Sequence, residues 1–339
     1  MKALVWTGAE KSELREIDKP VIEADEVLLK VRATGVCGTD LTIYKGYFPA
    51  HRAIAPMALG HDMSGEIAEI GNAVEGYTPG DRVVADPLIS CGTCYNCVKG
   101  LRHICKTLAL FGVDSDGSFA EYVKVNASKL HRIPDTLSFE KAALFEPLAV
   151  AVHAVRRSRL AAGDTVLVVG GGPIGILLAM VAETAGARTI VVSEIQESRR
   201  RLLEEYGFTT VNPLETGIED IIDGYYDEIG PEVVYEATGT APGWQACIDL
   251  ACYRGRVIEV GVPKGKQEID LRKGNFGELE IIGSRVYEPV DIKTALKIID
   301  DARYNWDKLI TCFPLDKGPE VLSELGSGKT NLMKAIFTL

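Results

Sequence analysis

The sequence predicts an α/β chain in two parts, a β-rich module and a doubly wound parallel sheet. Three observations carry that expectation. In the stretch 165–194, TVLVVGGGPIGILLAMVAETAGARTIVVSE, two β-branched runs flank an apolar segment of helical length. Short strand-like runs then alternate with helical segments, the pattern of a parallel sheet with crossover helices. Before residue 145, by contrast, helical periodicity is scarce, and short alternating or apolar runs end near Gly, Asn or Asp.

The totals bound the answer. A chain of 339 residues holds about two domains. A formal charge of −11 argues against nucleic acid as the main partner, because phosphates need a basic surface. The apolar stretch Val166–Ala182 is interrupted by Gly-Gly-Gly-Pro, so it reads as strand, turn and helix and no membrane is expected. MKALVWTG lacks the basic segment and long apolar core of a secretory signal, and a cytoplasmic location is expected.

In the β-rich part, strands are expected at Lys2–Thr7, Glu26–Ala33, Met63–Ile70, Asp81–Ala85 and Phe119–Val125. Among them lie Cys37-Gly38-Thr39-Asp40 and Gly60-His61-Asp62. A thiolate and an imidazole are ligands zinc prefers. On these two residues alone, a buried free cysteine and a hydrogen-bonded core histidine are the favoured reading. Glu146, in Phe145-Glu146-Pro147-Leu148, sits among apolar neighbours where an unpaired carboxylate is costly. It reads as a ligand, a helix cap or half of a buried ion pair.

Cys91-x2-Cys94-x2-Cys97-x7-Cys105 is the most specific metal signal. Four thiolates this close can close a tetrahedral shell on zinc with no open position. A ferredoxin-type cluster needs the fourth cysteine after about three residues, with proline following. Here the gap is seven and Lys106 follows, so zinc is the expected ion. Lys99, Arg102, His103 and Lys106 do not make the basic stripe of a nucleic-acid ribbon. Cys247, Cys252 and Cys312 are isolated and read as buried small hydrophobes.

The second part begins with a helical segment through Ala154 and Arg157, then Gly163-Asp164 and the strand Val166–Val169. Gly170, Gly172 and Gly175 form G-x-G-x-x-G, continued by Pro173 and Ile174 into the helix. The next strand, Thr189–Val192, leads to Glu194, nineteen residues past the last glycine. In that context the glycines admit a pyrophosphate at a helix N-terminus, and the acid faces the adenosine ribose. Residues 195–206 read as a helix with Arg199, Arg200 and Arg201 on its exposed side. Strands are expected at Glu232–Gly239, Gly255–Val262 and Glu280–Ser284. Ligands bind at strand C-termini in such sheets, which puts Thr238, Gly239, Val262 and Arg285 near the cofactor. A helix over Ile292–Asp301 and a strand at Ala335–Phe337 are expected to return to the β-rich module.

Taken in order, Cys-Gly-Thr-Asp, Gly-His-Asp-x-x-Gly, the four-cysteine lobe, Glu-Pro-Leu and Gly-Gly-Gly-Pro-Ile-Gly resemble the zinc-dependent medium-chain alcohol dehydrogenases over nearly the whole chain. The branch it is most similar to is that of the polyol (sorbitol-type) and threonine dehydrogenases. The resemblance implies a GroES-like β-rich catalytic domain over 1–150 and 289–339, and a Rossmann cofactor domain over 151–288. It implies one catalytic zinc on Cys37, His61 and Glu146 and one structural zinc on Cys91, Cys94, Cys97 and Cys105. Alcohol dehydrogenases carry two cysteines and one histidine on the catalytic ion; Glu146 stands where their second cysteine would be. Family members usually read Gly-His-Glu, so Asp62 is either a further ligand or a hydrogen-bond acceptor behind the ligands. Thr39 matches the hydroxyl that starts the proton relay. Ile174, Glu194, Arg199, Val260, Gly261, Val262, Ser284 and Arg285 match cofactor positions.

The activity so implied is reversible oxidation of a secondary alcohol to a ketone. Glu194 favours NAD over NADP by repelling a 2′-phosphate, a preference that Arg199 softens. The loop 41–52 offers Tyr44, Lys45, Tyr47, His51 and Arg52 to a polyhydroxylated substrate: a sugar alcohol, cyclitol or vicinal diol. Lys45, His51 and Arg52 suit a sugar-alcohol phosphate as the alternative. An amino alcohol is the other alternative, although threonine dehydrogenases often have His where Thr42 stands, which counts against threonine itself. A catalytically silent nucleotide-binding regulator is the reading from a different class. The resemblance also implies a homo-oligomer, a tetramer in preference to a dimer.

Overall fold

The computed structural model describes residues 1–227, 229–328 and 330–339. The chain forms two compact units, Met1–Glu146 with Ala295–Leu339, and Pro147–Thr294.

The chain begins with β1 (Lys2–Gly8), β2 (Lys11–Glu16) and β3 (Glu26–Gly35), then α1 (Gly38–Tyr44) and β4 (Met57–Ala58). There follow β5 (Asp62–Ile70), β6 (Arg82–Ala85), β7 (Leu88–Ile89) and α2 (Tyr95–Val98), the last inside the cysteine lobe. β8 (Ala109–Leu110), β9 (Tyr122–Asn126), β10 (Leu130–Arg132), α3 (Phe139–Ala142) and α4 (Phe145–Ser158) complete this run. The strand expected from Phe119 starts at Tyr122 instead. Phe119 is turned into the core, where its ring meets that of Phe337 edge-on at 5.1 Å between centroids.

In the second unit β11 (Thr165–Val169), α5 (Pro173–Thr184), β12 (Thr189–Ser193) and α6 (Glu197–Glu205) alternate. β13 (Thr209–Val211), α7 (Ile218–Tyr225), β14 (Val233–Glu236), α8 (Ala241–Leu250), β15 (Arg256–Glu259), α9 (Arg272–Phe276) and β16 (Glu280–Gly283) continue the alternation. α10 (Pro289–Asp300) follows. The six strands form one parallel sheet in the order β13-β12-β11-β14-β15-β16. The strand order therefore reverses between β11 and β14, the switch point at which such sheets bind ligands. Every residue of β11 and β14 is buried, as expected where helices cover both faces. Leu167, Val191, Val234, Trp244, Ile248 and Val257 are at the centre of one of its cores.

The C-terminal segment adds β17 (Ile310–Pro314), α11 (Gly318–Ser327) and β18 (Lys334–Thr338) to the first unit. β18 pairs antiparallel with β3 and parallel with β17, inside a seven-stranded sheet that also holds β10, β6, β5 and β9. A smaller sheet, β2-β1-β4, lies in the same unit. Cys312, expected to be buried, is exposed, because β17 is an edge strand of its sheet. No helix among the described residues is long and apolar enough to cross a membrane.

Candidate functional site

The glycine-rich turn joins β11 to α5. Gly172 is the N-cap of α5 and Pro173 occupies its first turn, where the missing N–H costs no helix hydrogen bond. A Cβ on Gly175 would collide with the carbonyl of Gly170, so only glycine lets the helix come this close to the strand end. Glu194 follows β12 and is buried. Its Oε2 accepts from the Gly171 N–H at 2.8 Å and its Oε1 from the Gln196 N–H at 2.7 Å. The three arginines of α6 are not equivalent surface residues. Arg201 is exposed, but Arg200 donates to the carbonyls of Glu194 and Ile195. Arg199 is turned inward, with Nη1 3.8 Å from Glu194 Oε2, and its buried Nε has no hydrogen-bond partner among the described residues. The other cofactor candidates, Thr238–Gly239, Val260–Val262 and Ser284–Arg285, follow the C-terminal ends of β14, β15 and β16.

In the first unit a second constellation forms at the start of α1 and β5. Cys37 caps α1, and its N–H donates to Asp40 Oδ2 at 2.8 Å. The other Asp40 oxygen accepts from the Gly60 N–H at 3.1 Å, which ties the Cys37 turn to the segment carrying His61. His61, Asp62 and Glu146 are all buried. His61 Nδ1 lies 3.5 Å from Asp40 Oδ1 and Nε2 lies 3.7 Å from Asp62 Oδ1. Neither contact is a hydrogen bond, and His61 Nδ1 and Asp62 Oδ1 have no partner among the described residues. Thr39 is half-buried in the first turn of α1.

The electrostatics follow from crowding acids in a dry place. Burial lowers the His61 pKa, but the charges of Asp40, Asp62 and Cys37 outweigh it and the net direction is upward. Burial, then the charges of Asp62 and Cys37, hold the Glu146 carboxyl well above the usual carboxylate range, with His61 pulling the other way. One thiol, one imidazole and neighbouring carboxylates, with His61 Nδ1 and Asp62 Oδ1 unsatisfied among the described residues, make a donor set suited to a divalent cation. Lys334, at the start of β18, already offsets part of the negative charge. Its Nζ donates to Asp62 Oδ2 at 2.5 Å, and both side chains are buried. Sequence reasoning passed over Lys334, and named Asp40 in its motif without giving it a role. Their signals were a lysine opening a strand whose next three residues are apolar, and an acid three residues after the cap residue.

The cysteine lobe is compact. Sγ separations are 3.5 Å for Cys91–Cys105, 3.6 Å for Cys94–Cys97, 3.9 Å for Cys94–Cys105 and 4.0 Å for Cys91–Cys97. Four thiolates on one tetrahedral zinc, with Zn–S bonds of about 2.3 Å, stand roughly 3.8 Å apart. The Thr93 and Cys94 backbone N–H groups pull the Cys91 thiol down to about 5, whereas burial pushes the Cys97 thiol up to about 11. His153, Glu288 and Asp291 form another group with metal-like spacing. There Arg156 bonds Asp291 and lies 3.8 Å from Glu288, so a cation is already in place.

The loop after α1 is less available than its composition suggests. Tyr44 is buried, with its hydroxyl donating to the Glu10 carbonyl at 3.1 Å. Arg52 is held by both oxygens of Asp114, at 2.8 and 2.6 Å, and by the Leu108 carbonyl. Lys45 is half-buried, and Tyr47 and His51 are exposed.

Residues 23–135 match the family model described as the alcohol dehydrogenase GroES-like domain, and residues 173–301 that described as zinc-binding dehydrogenase. A relative named 2-dehydro-3-deoxy-L-galactonate 5-dehydrogenase, from Pseudoalteromonas atlantica, is 40% identical over 310 residues, covering 91% of this chain and 89% of its own. The sorbitol dehydrogenase of Halalkalibacterium halodurans is 35% identical over 318 residues, 92% of each chain. A solved structure named as a zinc-binding dehydrogenase from Sinorhizobium meliloti 1021, bound to NADP, superposes with a TM-score of 0.93 at 34% identity, covering 100% of this chain and 99% of that one. The chain belongs to the zinc-binding medium-chain dehydrogenases, a family of oxidoreductases acting on small molecules, with a GroES-like domain and a Rossmann-type parallel sheet.

Proposed function

We propose that this enzyme oxidises, reversibly, a secondary alcohol of a polyhydroxylated substrate to a ketone, with NAD as the preferred acceptor. The observation that carries this reading is the cluster of half-buried Cys37 with buried His61 and Glu146, close enough to act on one another's charge and crowded by acids that a cation would relieve. These three would hold a catalytic zinc, and Cys91, Cys94, Cys97 and Cys105 a structural one. The pairing of Asp62 with Lys334 supports Glu146 as the third ligand and Asp62 as a residue behind the ligands. Bound zinc supplies a Lewis acid for an alcohol oxygen, and NAD supplies the hydride acceptor.

The chain's own residues do the rest. Thr39 accepts the proton of the substrate hydroxyl and passes it towards solvent. Gly170, Gly172, Pro173, Ile174 and Gly175 receive the pyrophosphate at the N-terminus of α5. Glu194 takes the adenosine ribose, and its fixed negative charge disfavours a 2′-phosphate. Arg199, whose Nε has no hydrogen-bond partner among the described residues and whose Nη1 lies 3.8 Å from that carboxylate, leaves NADP as a weaker alternative. Thr238, Gly239, Val260, Gly261, Val262, Ser284 and Arg285 form the remaining cofactor wall. In this reading the first compact unit is the catalytic domain and the second the cofactor domain.

The names of the sorbitol and galactonate relatives both denote polyhydroxylated carbon chains, which supports a sugar alcohol or a sugar acid as substrate. The commitment of Arg52 to Asp114 removes one of three cations that a sugar phosphate would use. We also infer a homo-oligomer, supported by edge strand β16 with Ile281 exposed upon it. The clustering of four of the eight cysteines at 91–105 as candidate metal ligands supports a reducing, cytoplasmic setting.

The test is NAD and NADP reduction by the purified protein across sugar alcohols, inositols, vicinal diols, sugar acids, a sugar-alcohol phosphate and threonine, with a chelator control. Chelator-sensitive turnover of an unphosphorylated polyol or sugar acid with NAD is expected. Turnover confined to the phosphate or to threonine overturns the substrate class, and turnover indifferent to chelator overturns the zinc reading.

A further inference from the structure

Glu236 is the last residue of β14 and is fully buried, beside the switch point where the strand order reverses. A carboxylate at the end of an apolar central strand needs partners, and it finds them in two loops at once. Its Oε1 accepts from the Thr238 N–H at 2.8 Å, the Gly239 N–H at 3.0 Å and the Thr238 hydroxyl. Its Oε2 also lies 3.0 Å from the Gly239 nitrogen. Its backbone carbonyl meanwhile accepts from the Val260 N–H at 3.0 Å and the Gly261 N–H at 2.8 Å. One residue therefore holds the loop after β14 with its side chain and the loop after β15 with its backbone.

The packing leaves little freedom around this node. A Cβ on Gly261 would come within 2.6 Å of Glu236 Oε2. Thr238, held by the carboxylate, presses its methyl towards Gly170 in the turn after β11, and the Ala237 N–H donates to the Val169 carbonyl at 2.9 Å. Thr238 Oγ1 is 2.9 Å from Thr240 Oγ1, and Thr240 caps α8 by accepting from the Gly243 N–H. Loops after three neighbouring strands, and the start of one helix, are thus referred to a single residue, through its carboxylate and its backbone carbonyl.

We infer that Glu236 is a positioning residue for the dinucleotide, fixing the spacing between the 238–239 and 260–262 loops without itself touching the cofactor. This rests on the reading of that sheet end as the cofactor site. Hydrogen bonds to a buried charged acceptor are among the strong ones, and their loss frees the 238–239 loop, against which Gly261 of the second loop packs. An amide in place of the carboxylate keeps the shape, removes the charge and turns one acceptor into a donor facing the Gly239 N–H.

The experiment is titration of the full-length protein with NADH, read by nicotinamide fluorescence, for wild type, Glu236→Gln and Glu236→Asp. Thermal unfolding is followed with and without NADH. The inference expects wild type to bind, and both variants to fold but bind NADH about tenfold or more weakly, with a smaller thermal shift on binding. Variants that fold and bind as wild type does overturn it. Failure of both variants to fold also overturns it, because Glu236 would then serve the fold and not the cofactor. If wild type binds neither NADH nor NADPH, the dinucleotide reading fails first and the inference falls with it.

Discussion

Lys334 Nζ lies 2.5 Å from Asp62 Oδ2, and the two residues, buried side by side, are 272 positions apart in the chain. Breaking a buried pair by removing one partner leaves an uncompensated charge, which typically costs about 3–5 kcal/mol. Lys334→Met should therefore destabilise the protein by that order, measured as a fall in the urea midpoint. Asp62→Asn combined with Lys334→Met should recover much of the loss. A single variant as stable as wild type would show that the pair contributes little.

The two proposed zinc sites should empty separately. Cys105→Ser removes one corner of the sulfur tetrahedron, and a structural site loses its ion or its order when a ligand goes. Glu146→Gln leaves the lobe intact. Elemental analysis should fall from about two zincs per chain to about one in either variant. The Cys105 variant alone should become easily proteolysed near residues 91–105. Two zincs retained in the Glu146 variant would remove Glu146 from the ligand set.

Cofactor choice should turn on Glu194 and Arg199. Replacing Glu194 by Ser removes the charge that opposes a 2′-phosphate, while leaving Arg199 to receive it. The ratio of kcat/KM for NADP to that for NAD should rise about tenfold or more, from a charge-pair change of roughly 1.4 kcal/mol. Arg199→Ala should instead lower residual use of NADP and spare NAD. A ratio that stays put in both variants would place cofactor selection elsewhere.

Asp291 gives a pH-dependent test. Burial would raise its pKa, but hydrogen bonds from His153, Arg156 and the Glu288 N–H outweigh burial and hold it below the ordinary value. A depressed carboxyl contributes stability that is present above its unfolded pKa, about 3.9, and is lost as pH falls through the folded value. Asp291→Asn should cost about 1–3 kcal/mol at neutral pH. The gap from wild type should close below about pH 4 as both forms carry an uncharged group. A constant gap across that range would assign the loss to packing.

What the sequence revealed and what it hid divide along the range of the interactions. The Gly170–Gly175 turn and the cysteine lobe are local: their chemistry demands particular residues at short spacing, so both were legible. The parallel sheet was legible as well, because strands buried on both faces read as apolar runs. Lys334 with Asp62, and Arg52 with Asp114, are joined only by the fold, and no spacing rule marks them. Arg199 misled because an arginine run on a helix usually faces solvent, whereas this one packs beside Glu194. Cys312 misled because burial of a lone cysteine depends on whether its strand is central or at an edge.

The position of β18 between β3 and β17 sets an order of events during synthesis. The second unit is a continuous segment, Pro147–Thr294, and it can leave the ribosome whole. The first unit cannot close at that stage, because the Ala33–Gly35 edge of β3, two residues before Cys37, waits for Ile336–Thr338. Until then a bare strand edge and an Asp62 without its ammonium partner stand open to solvent, chaperones or neighbouring chains. The half of the protein that is translated first is thus the half that matures last.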